Sequence, residues 1–170
     1  MFILSTFVSL KFKFIEENLS KMLMLLINNQ NFKRYIVYLD KYPLDPSLPD
    51  VNDNLINKNI ILSPFSDEIL NDMQVKIFFN PYEGNLQNVG IGYDVYVLDI
   101  IVPIKYWLIS GKGEIRVFRI AKEIANVLDN QYIAGNNRVN ITRYRLFKVN
   151  NSYAGLTLWI NVSNATVKGD

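Results

Sequence analysis

The sequence predicts an α+β fold, a single domain with a mostly antiparallel sheet in ββ-α-ββ order and one helix packed on a face. Three observations predict it. The 170 residues are 49% hydrophobic, enough for one well-filled core but not for two ordinary domains. Strand-forming segments flank an amphipathic helical segment. An N-terminal helical stretch and a proline-rich arm precede them. We expect a helical segment at 1–39, the arm at 40–74, the core at 75–163 and a loose tail at 164–170.

The N-terminal segment carries apolar residues at helical spacing. This predicts a helix from Phe14 to about Asn28, followed by a short helix "FKRYIVYLD". The first ten residues are largely apolar, but the positive charges follow them and no small-residue cleavage site appears, so we do not expect a signal peptide. No apolar run reaches the roughly 18 residues of a membrane span, and we expect a soluble protein.

The arm combines four prolines with many Asn and Asp residues, which disfavours regular structure. It also carries too many apolar side chains for a solvated linker: Leu44, Leu48, Ile60, Ile61, Leu62 and Phe65. We therefore expect the arm to lie on a surface, its own or a neighbour's. If it docks on a neighbour, deleting residues 44–62 should leave the domain folded.

The core is predicted to open with the strand "VKIFF" and a very long strand from Tyr93 to about Ile109. Seventeen residues would reach about 55 Å, so we expect part of this strand to leave the domain. Pro103 predicts an edge position or a bulge. The Gly111-Lys112-Gly113 sequence is interpreted as a turn that reverses this strand into a helix, and a phosphate-binding loop is the less favoured alternative.

The helix after the glycines has an apolar face that should pack on the sheet, formed by Val117, Ile120, Ala121, Ile124 and Leu128. Arg116 and Arg119 fall toward the other face, where we expect them to be exposed. A closing hairpin follows, and in its second strand Leu156, Leu158, Ile160 and Val162 alternate with more polar residues.

The composition excludes several kinds of chemistry, because the chain has no Cys and no His. Zinc sites of the usual type, thiol nucleophiles and Ser-His arrangements are thereby removed. Asp94, Asp99 and Glu114 are the candidate carboxylates for a metal-dependent nuclease. Asp94 and Asp99 are separated by an odd number of residues and should point to opposite faces of a strand. We therefore predict no catalytic, cofactor-binding or metal-binding residues, and no enzyme.

The basic residues leave two alternatives open. Arg143, Arg145 and Lys148 crowd one strand beside Tyr144 and Phe147, a mixture that can bind a nucleic-acid backbone and stack bases. The same cations can pair with carboxylates on an adjacent subunit, and the net charge of only +2 favours that interpretation. The candidate subunit-interface or channel residues are Arg116, Arg119, Glu123, Arg143, Arg145, Leu44, Leu48 and Phe65.

The second half of the chain resembles a known family. The strand "YDVYVLDIIVPIKYWLI", a glycine turn, the helix "EIRVFRIAKEIANVL" and the hairpin "RYRLFKVNNSYAGLTLWINVS" are similar to the tail-terminator or tail-completion proteins of tailed bacteriophages. The N-terminal "ENLSKMLMLLINNQNFKRYIVYLDKYPLDPSLPD" resembles the opening of phage neck proteins. The likeness is one of pattern and covers most of the chain.

The resemblance implies a structural virion protein without enzymatic activity. Such proteins form rings at the neck or head-tail joint, and here a six- or twelve-fold homo-oligomeric ring is expected. Portal, neck or tail proteins would be its partners, with passive contact to DNA in the channel and no membrane. The protein would lie in the neck or tail region of the virion, and in the host cytoplasm during assembly. The alternative is a phage nucleic-acid-binding or nuclease-like accessory protein that uses the Arg143 and Arg145 strand.

Overall fold

A five-stranded sheet organises the chain in a computed structural model that describes residues 2–66, 70, 72–84, 92–133 and 137–164. The predicted loose tail beyond residue 164 lies outside the described residues. The elements are α1 (Phe2–Ile27), α2 (Gln30–Val37), β1 (Ile60–Ile61), β2 (Lys76–Gly84), β3 (Gly92–Pro103), β4 (Leu108–Ile109), β5 (Glu114–Ile115), α3 (Arg116–Leu128), β6 (Val139–Lys148) and β7 (Tyr153–Asn164). The first helix therefore begins well before the predicted Phe14.

The sheet has the spatial order β1-β2-β3-β7-β6, and every pairing in it is antiparallel except that of β1 with β2. This confirms the predicted α+β class with a mostly antiparallel sheet in a single domain. Two features were not predicted: the two-residue β1 at one edge, and the separate β4–β5 hairpin between β3 and α3.

The main core lies between the three helices and one face of the sheet. The α3 residues Val117, Ile120, Ile124 and Leu128 are fully buried there. They belong to the same cluster as the alternating β7 residues Leu156, Leu158, Ile160 and Val162. The predicted helical stripe and the predicted strand alternation are both confirmed. We call the opposite side of the sheet the open face.

A smaller core covers one end of the open face. Phe78 and Ile101 from the sheet pack there with Leu70 and Tyr153, and Phe65 lies against Phe78 with ring centroids 5.2 Å apart in an edge-on arrangement.

The predicted arm packs on its own domain. Val51, Leu55 and Ile60 are buried in the main core. The Arg34 guanidinium donates to the carbonyls of Leu48 and Pro49 and so holds the arm against α2. The segment is therefore part of the folded unit, because its apolar residues fill the core that the helices and sheet leave open.

The long strand is shorter than predicted. β3 ends at Pro103, and a single 3-10 turn, Ile104–Tyr106, follows it. All twelve residues of β3 pair with β7, and eight also pair with β2, so no part of the strand leaves the domain. Pro103 ends the strand, beyond the last residue that pairs with β2, because it lacks an amide donor and continues no ladder. At Pro103 the strand therefore has a neighbour, β7, on one side only, as the predicted edge position requires, and its pairing with β7 shows no bulge there.

The glycine turn joins β4 to β5 and does not lead directly into the helix. Gly111 and Gly113 have φ values of 77° and 64°, which favour glycine. Two strand residues separate the turn from Arg116, the first residue of α3. The glycine amides therefore do not belong to the first turn of α3, and the phosphate-loop interpretation loses the helix terminus on which it relied.

Candidate functional site

Arg116 is fully buried, which corrects the expectation that it faces a neighbour or a channel. Its guanidinium donates to the carbonyls of Tyr35, Tyr38 and Leu39 at 2.9–3.1 Å and to that of Tyr106 at 3.0 Å. The first three carbonyls lie at the C-terminal end of α2, where a helix leaves acceptors unpaired and carries partial negative charge.

Burial lowers the pKa of Arg116 to about 10, so the side chain remains charged at neutral pH. Its hydrogen bonds connect α3 with the end of α2 and with the 3-10 turn inside the core. It contributes nothing to the exposed surface.

Arg119 is about one third exposed and is paired within the chain. Its guanidinium lies 2.8 Å from the Glu114 carboxylate, which comes from β5. Glu123, the third candidate on this helix, is buried, so it cannot meet a neighbour as predicted. Of the three interface candidates on α3, only Arg119 reaches the surface.

Arg143 and Arg145 lie exposed on β6, as an interface or nucleic-acid surface requires. They pair with Trp159 and Thr157 of β7 and share the open face with them. The Arg143 guanidinium lies 4.0 Å from the centre of the Trp159 ring, a cation–π contact. We call Arg143, Arg145 and Trp159 together the basic patch.

Tyr144 does not belong to the basic patch, although the sequence places it between the two arginines. It pairs with Leu158 and packs edge-on against Phe118 of α3, with ring centroids 6.4 Å apart. Tyr144 therefore lies on the helix side of the sheet, since neighbouring residues of a strand point to opposite faces.

The candidate carboxylates are engaged on opposite faces of β3, which confirms that Asp94 and Asp99 cannot share an ion. Asp94 is buried, with the Lys11 ammonium of α1 2.9 Å away. Asp99 accepts a hydrogen bond from the Thr157 hydroxyl on the open face. Burial raises the pKa of Asp99, and the Thr157 hydrogen bond opposes that rise.

The described part of the chain offers neither a metal-binding cluster nor a membrane-spanning helix. Those residues contain no group of three or more Asp and Glu side chains placed to hold an ion. None of the described helices is long and apolar enough to cross a membrane.

The Lys112 ammonium of the glycine turn lies 5.0 Å from the centre of the Tyr42 ring.

The three candidates from the arm lie at separate places. Leu44 is partly buried against the main core. Leu48 is half-buried beneath Arg34, and Phe65 packs in the smaller core. Phe65 also packs edge-on against Phe147, with ring centroids 6.0 Å apart, and Phe147 lies two residues from Arg145 on the same face of β6.

Two open sheet edges were not anticipated from the sequence. β6 is an edge strand, and most of its side chains are exposed. Val139 and Ile141 are hydrogen-bonded to residues 129–131, so this edge is open only beyond Ile141. At the other edge, the described residues that pair with the outer side of β2 are only Ile60 and Ile61, opposite Ile77 and Phe78. Beyond Phe78, β2 therefore pairs with β3 on its inner side and with no described strand on its outer side.

A second unanticipated surface runs along α1. Large apolar side chains there are 39–54% exposed, namely Leu10, Phe12, Phe14, Met24 and Leu25. The sequence could have indicated this surface, because α1 has apolar residues on more than one side. The prediction considered only the apolar residues that face the core.

The fold and these surfaces describe an α+β domain with open edges and no assembled catalytic group among the described residues. A family model described as YomW matches residues 29–162, most of the chain, and the chain belongs to the YomW family. YomW is the name of a gene product of a Bacillus phage of the SPBc2 type, and the protein is accordingly associated with bacteriophages. No curated protein matches the chain.

Proposed function

We propose that the protein is a structural virion protein of a tailed bacteriophage, forming a homo-oligomeric ring at the neck or head-tail joint that connects portal and tail. Membership of a phage family supports the phage context. The observation that carries the ring is a pair of edges, on opposite sides of one sheet, that no other described strand covers: β6 beyond Ile141 and the outer side of β2 beyond Phe78.

Opposite edges suit a head-to-tail contact. When one edge of a subunit meets the other edge of the next, the same rotation repeats at every contact, and a ring results if the rotation closes. Two features of β6 keep such an edge from indiscriminate pairing: its arginines, and the irregularity between Ile141 and Arg143. A matched partner edge can still pair with it.

A structural role without catalysis is also supported by the state of the candidate carboxylates. Asp94 is held by Lys11, and Asp99 by Thr157. Each carboxylate joins two elements of the fold. We therefore expect no nuclease activity and no nucleotide hydrolysis with Mg²⁺ or Mn²⁺.

The functional test is a nonsense mutation in the gene of the encoding phage. We expect filled heads and separate tails, with joining restored when the wild-type protein is supplied. Purified wild-type particles should contain the protein. Normal yields of infectious particles from the mutant, or absence of the protein from wild-type particles, would contradict the proposal.

A second function is favoured by the basic patch, where Arg143 stacks on Trp159 beside Arg145. This arrangement suits a nucleic-acid-binding accessory protein, since it offers cations for phosphates and an aromatic plane for bases. Such a protein would be retained on single-stranded DNA in a salt-dependent way. Arg143→Ala with Arg145→Ala should abolish the retention, and Lys41→Ala, an exposed change in the arm, should not. No retention of the wild type at low salt would exclude this function.

A further inference from the structure

The outward face of α1 carries a regular stripe formed by Leu10, Phe14, Glu17, Lys21 and Met24, and Asn28 continues it one residue beyond the helix end. We call these six residues the outer stripe. Its apolar members are well exposed: Leu10 by 45%, Phe14 by 39% and Met24 by 51%. The opposite side of the helix holds Met22 and Leu26, which are buried in the core. The outer stripe therefore faces away from the domain.

The spacing of the outer stripe alternates between four and three residues. This alternation keeps side chains on one seam when two helices pack side by side. From Leu10 to Asn28 the seam is about 27 Å long. Apolar residues lie toward both ends, and the opposite charges of Glu17 and Lys21 lie in the middle.

A groove accompanies the C-terminal half of the outer stripe. It has a volume of about 480 Å³, and its lining includes Lys21, Met24, Leu25, Asn28, Tyr132 and Ile133. Tyr132 and Ile133 come from the segment after α3, so the groove is a recess between α1 and the body of the domain. An exposed apolar side chain on a partner helix would fit there.

We propose that α1 pairs antiparallel with α1 of a second copy of this chain, about a two-fold axis that passes beside residue 19. In this register Phe14 faces Met24 of the other copy and enters its groove. Glu17 faces Lys21, and by symmetry Lys21 faces Glu17. The two-fold contact thus makes two opposite-charge pairs and two apolar contacts from a single stripe.

Charge selects this register over its neighbours. A parallel pair would place Glu17 beside Glu17 and Lys21 beside Lys21, which is unfavourable. Antiparallel registers shifted by seven residues in either direction place Glu17 opposite Phe14 or Lys21 opposite Met24. Of these arrangements, only the proposed register places Glu17 opposite Lys21 and Phe14 opposite Met24; at its two ends Leu10 lies opposite Asn28.

The two-fold contact is independent of the proposed ring. It uses α1, whereas the ring uses the edges of the sheet, and a two-fold contact closes on itself instead of repeating head to tail. Either contact can exist without the other, and both together would join two rings or two neighbouring subunits.

The absence of cysteine from the chain allows a clean crosslinking experiment. Full-length Phe14→Cys and Met24→Cys chains are prepared separately and oxidised alone or as a mixture. We expect the mixture to give a disulfide-linked dimer that contains one chain of each kind. Each variant alone should give little, because the two copies of residue 14 lie about 15 Å apart along the seam. Efficient crosslinking of Phe14→Cys alone would overturn the antiparallel register.

Charge variants provide a second measurement that does not alter the apolar contacts. Glu17→Lys and Lys21→Glu should each weaken self-association about tenfold or more in sedimentation equilibrium. An equimolar mixture of the two variants should associate again, as should the chain that carries both changes. Lys41→Glu, an exposed change outside α1, is the control.

The outcomes separate the two-fold contact from the ring. A monomeric wild type, or variants that all associate as the wild type does, would overturn the two-fold contact. Rings that persist in Glu17→Lys, without any mixed crosslink between positions 14 and 24, would overturn it while leaving the ring in place. Mixed crosslinks in a protein that forms no ring would support the two-fold contact alone.

Discussion

At the scale of single residues, Arg116 departs furthest from its predicted surface position, because its side chain is fully buried. The pattern of α3 placed it on the polar face, which is correct for the helix alone. Its burial depends on α2, whose C-terminal carbonyls come from far away in the sequence. Helical periodicity reports which residues share a face, but not what lies opposite that face.

Arg116→Ala should lower the free energy of unfolding by about 3–5 kcal/mol, because it removes a buried charge and leaves four carbonyls without this donor. Arg119→Ala should cost only about 0–1 kcal/mol, since its ion pair with Glu114 is partly solvated. Leu128→Ala is the reference, because loss of a buried leucine side chain should lower the free energy of unfolding by about 2–5 kcal/mol. Urea unfolding of the three variants measures these free energies. Equal effects of the two arginine changes would contradict the assigned role of Arg116.

Asp99 predicts a pH effect on stability. Because burial raises its pKa in the folded state above the unfolded value, the folded chain binds this proton more readily. The group therefore costs stability as pH rises through the raised pKa, and this cost is absent at pH values below the unfolded pKa. Asp99→Asn should be more stable than the wild type at pH 7, with the difference vanishing toward pH 3.

Unfolding measured across that pH range tests this expectation, with Thr157→Val as the companion variant. Loss of the Thr157 hydroxyl removes the hydrogen bond that favours the charged carboxylate, so it should steepen the decline in stability with rising pH. A wild type and an Asp99→Asn variant with parallel pH profiles would contradict the assignment.

At the scale of elements, the sequence pattern predicted the buried side chains correctly where a helix or strand has one strong hydrophobic periodicity. The α3 stripe and the β7 alternation predicted which side chains are buried. The end of β3 was missed because Ile104, Tyr106 and Trp107 favour strands, whereas Pro103 and the following 3-10 turn stop the ladder. The two-residue β1 was missed because its pairing with β2 is long-range and leaves no periodic signal.

The arm yields a prediction that reverses the one drawn from sequence. Deleting residues 44–62 should abolish cooperative unfolding instead of leaving a folded domain, because Val51, Leu55 and Ile60 belong to the main core. Circular dichroism melts of the deletion variant test this. A matched point variant, Leu62→Ala, removes an exposed side chain of the same segment and should melt as the wild type does. A deletion variant with a native melt would show that the arm is dispensable to the fold.

The open edge of β6 predicts a pattern of amide exchange. In the assembled protein, peptides from β6 should exchange more slowly than in the dilute, dissociated chain, because a neighbouring strand would cover their outward amides. Peptides from β3, which lies between two strands, should be protected in both states. Unchanged β6 exchange on assembly would place the subunit contact elsewhere on the molecule.

At the scale of the whole molecule, the placement of the carboxylates was easier to predict than the surfaces. The odd spacing of Asp94 and Asp99 predicted that they lie on opposite faces of one strand, and they do so on β3. The interface candidates were harder to predict, because exposure is a property of the folded chain. Arg143 and Arg145 reach the surface, whereas Arg116 and Glu123 do not.

The central claim is that this phage-associated chain is a ring-forming structural subunit. Electron microscopy of the purified full-length protein, combined with its native mass, tests it most directly. The account predicts closed rings of one size whose mass is a fixed multiple of the 19.7 kDa chain. A population that contains only monomers and two-fold dimers at every concentration, both without and with the portal protein of the same phage, would contradict it.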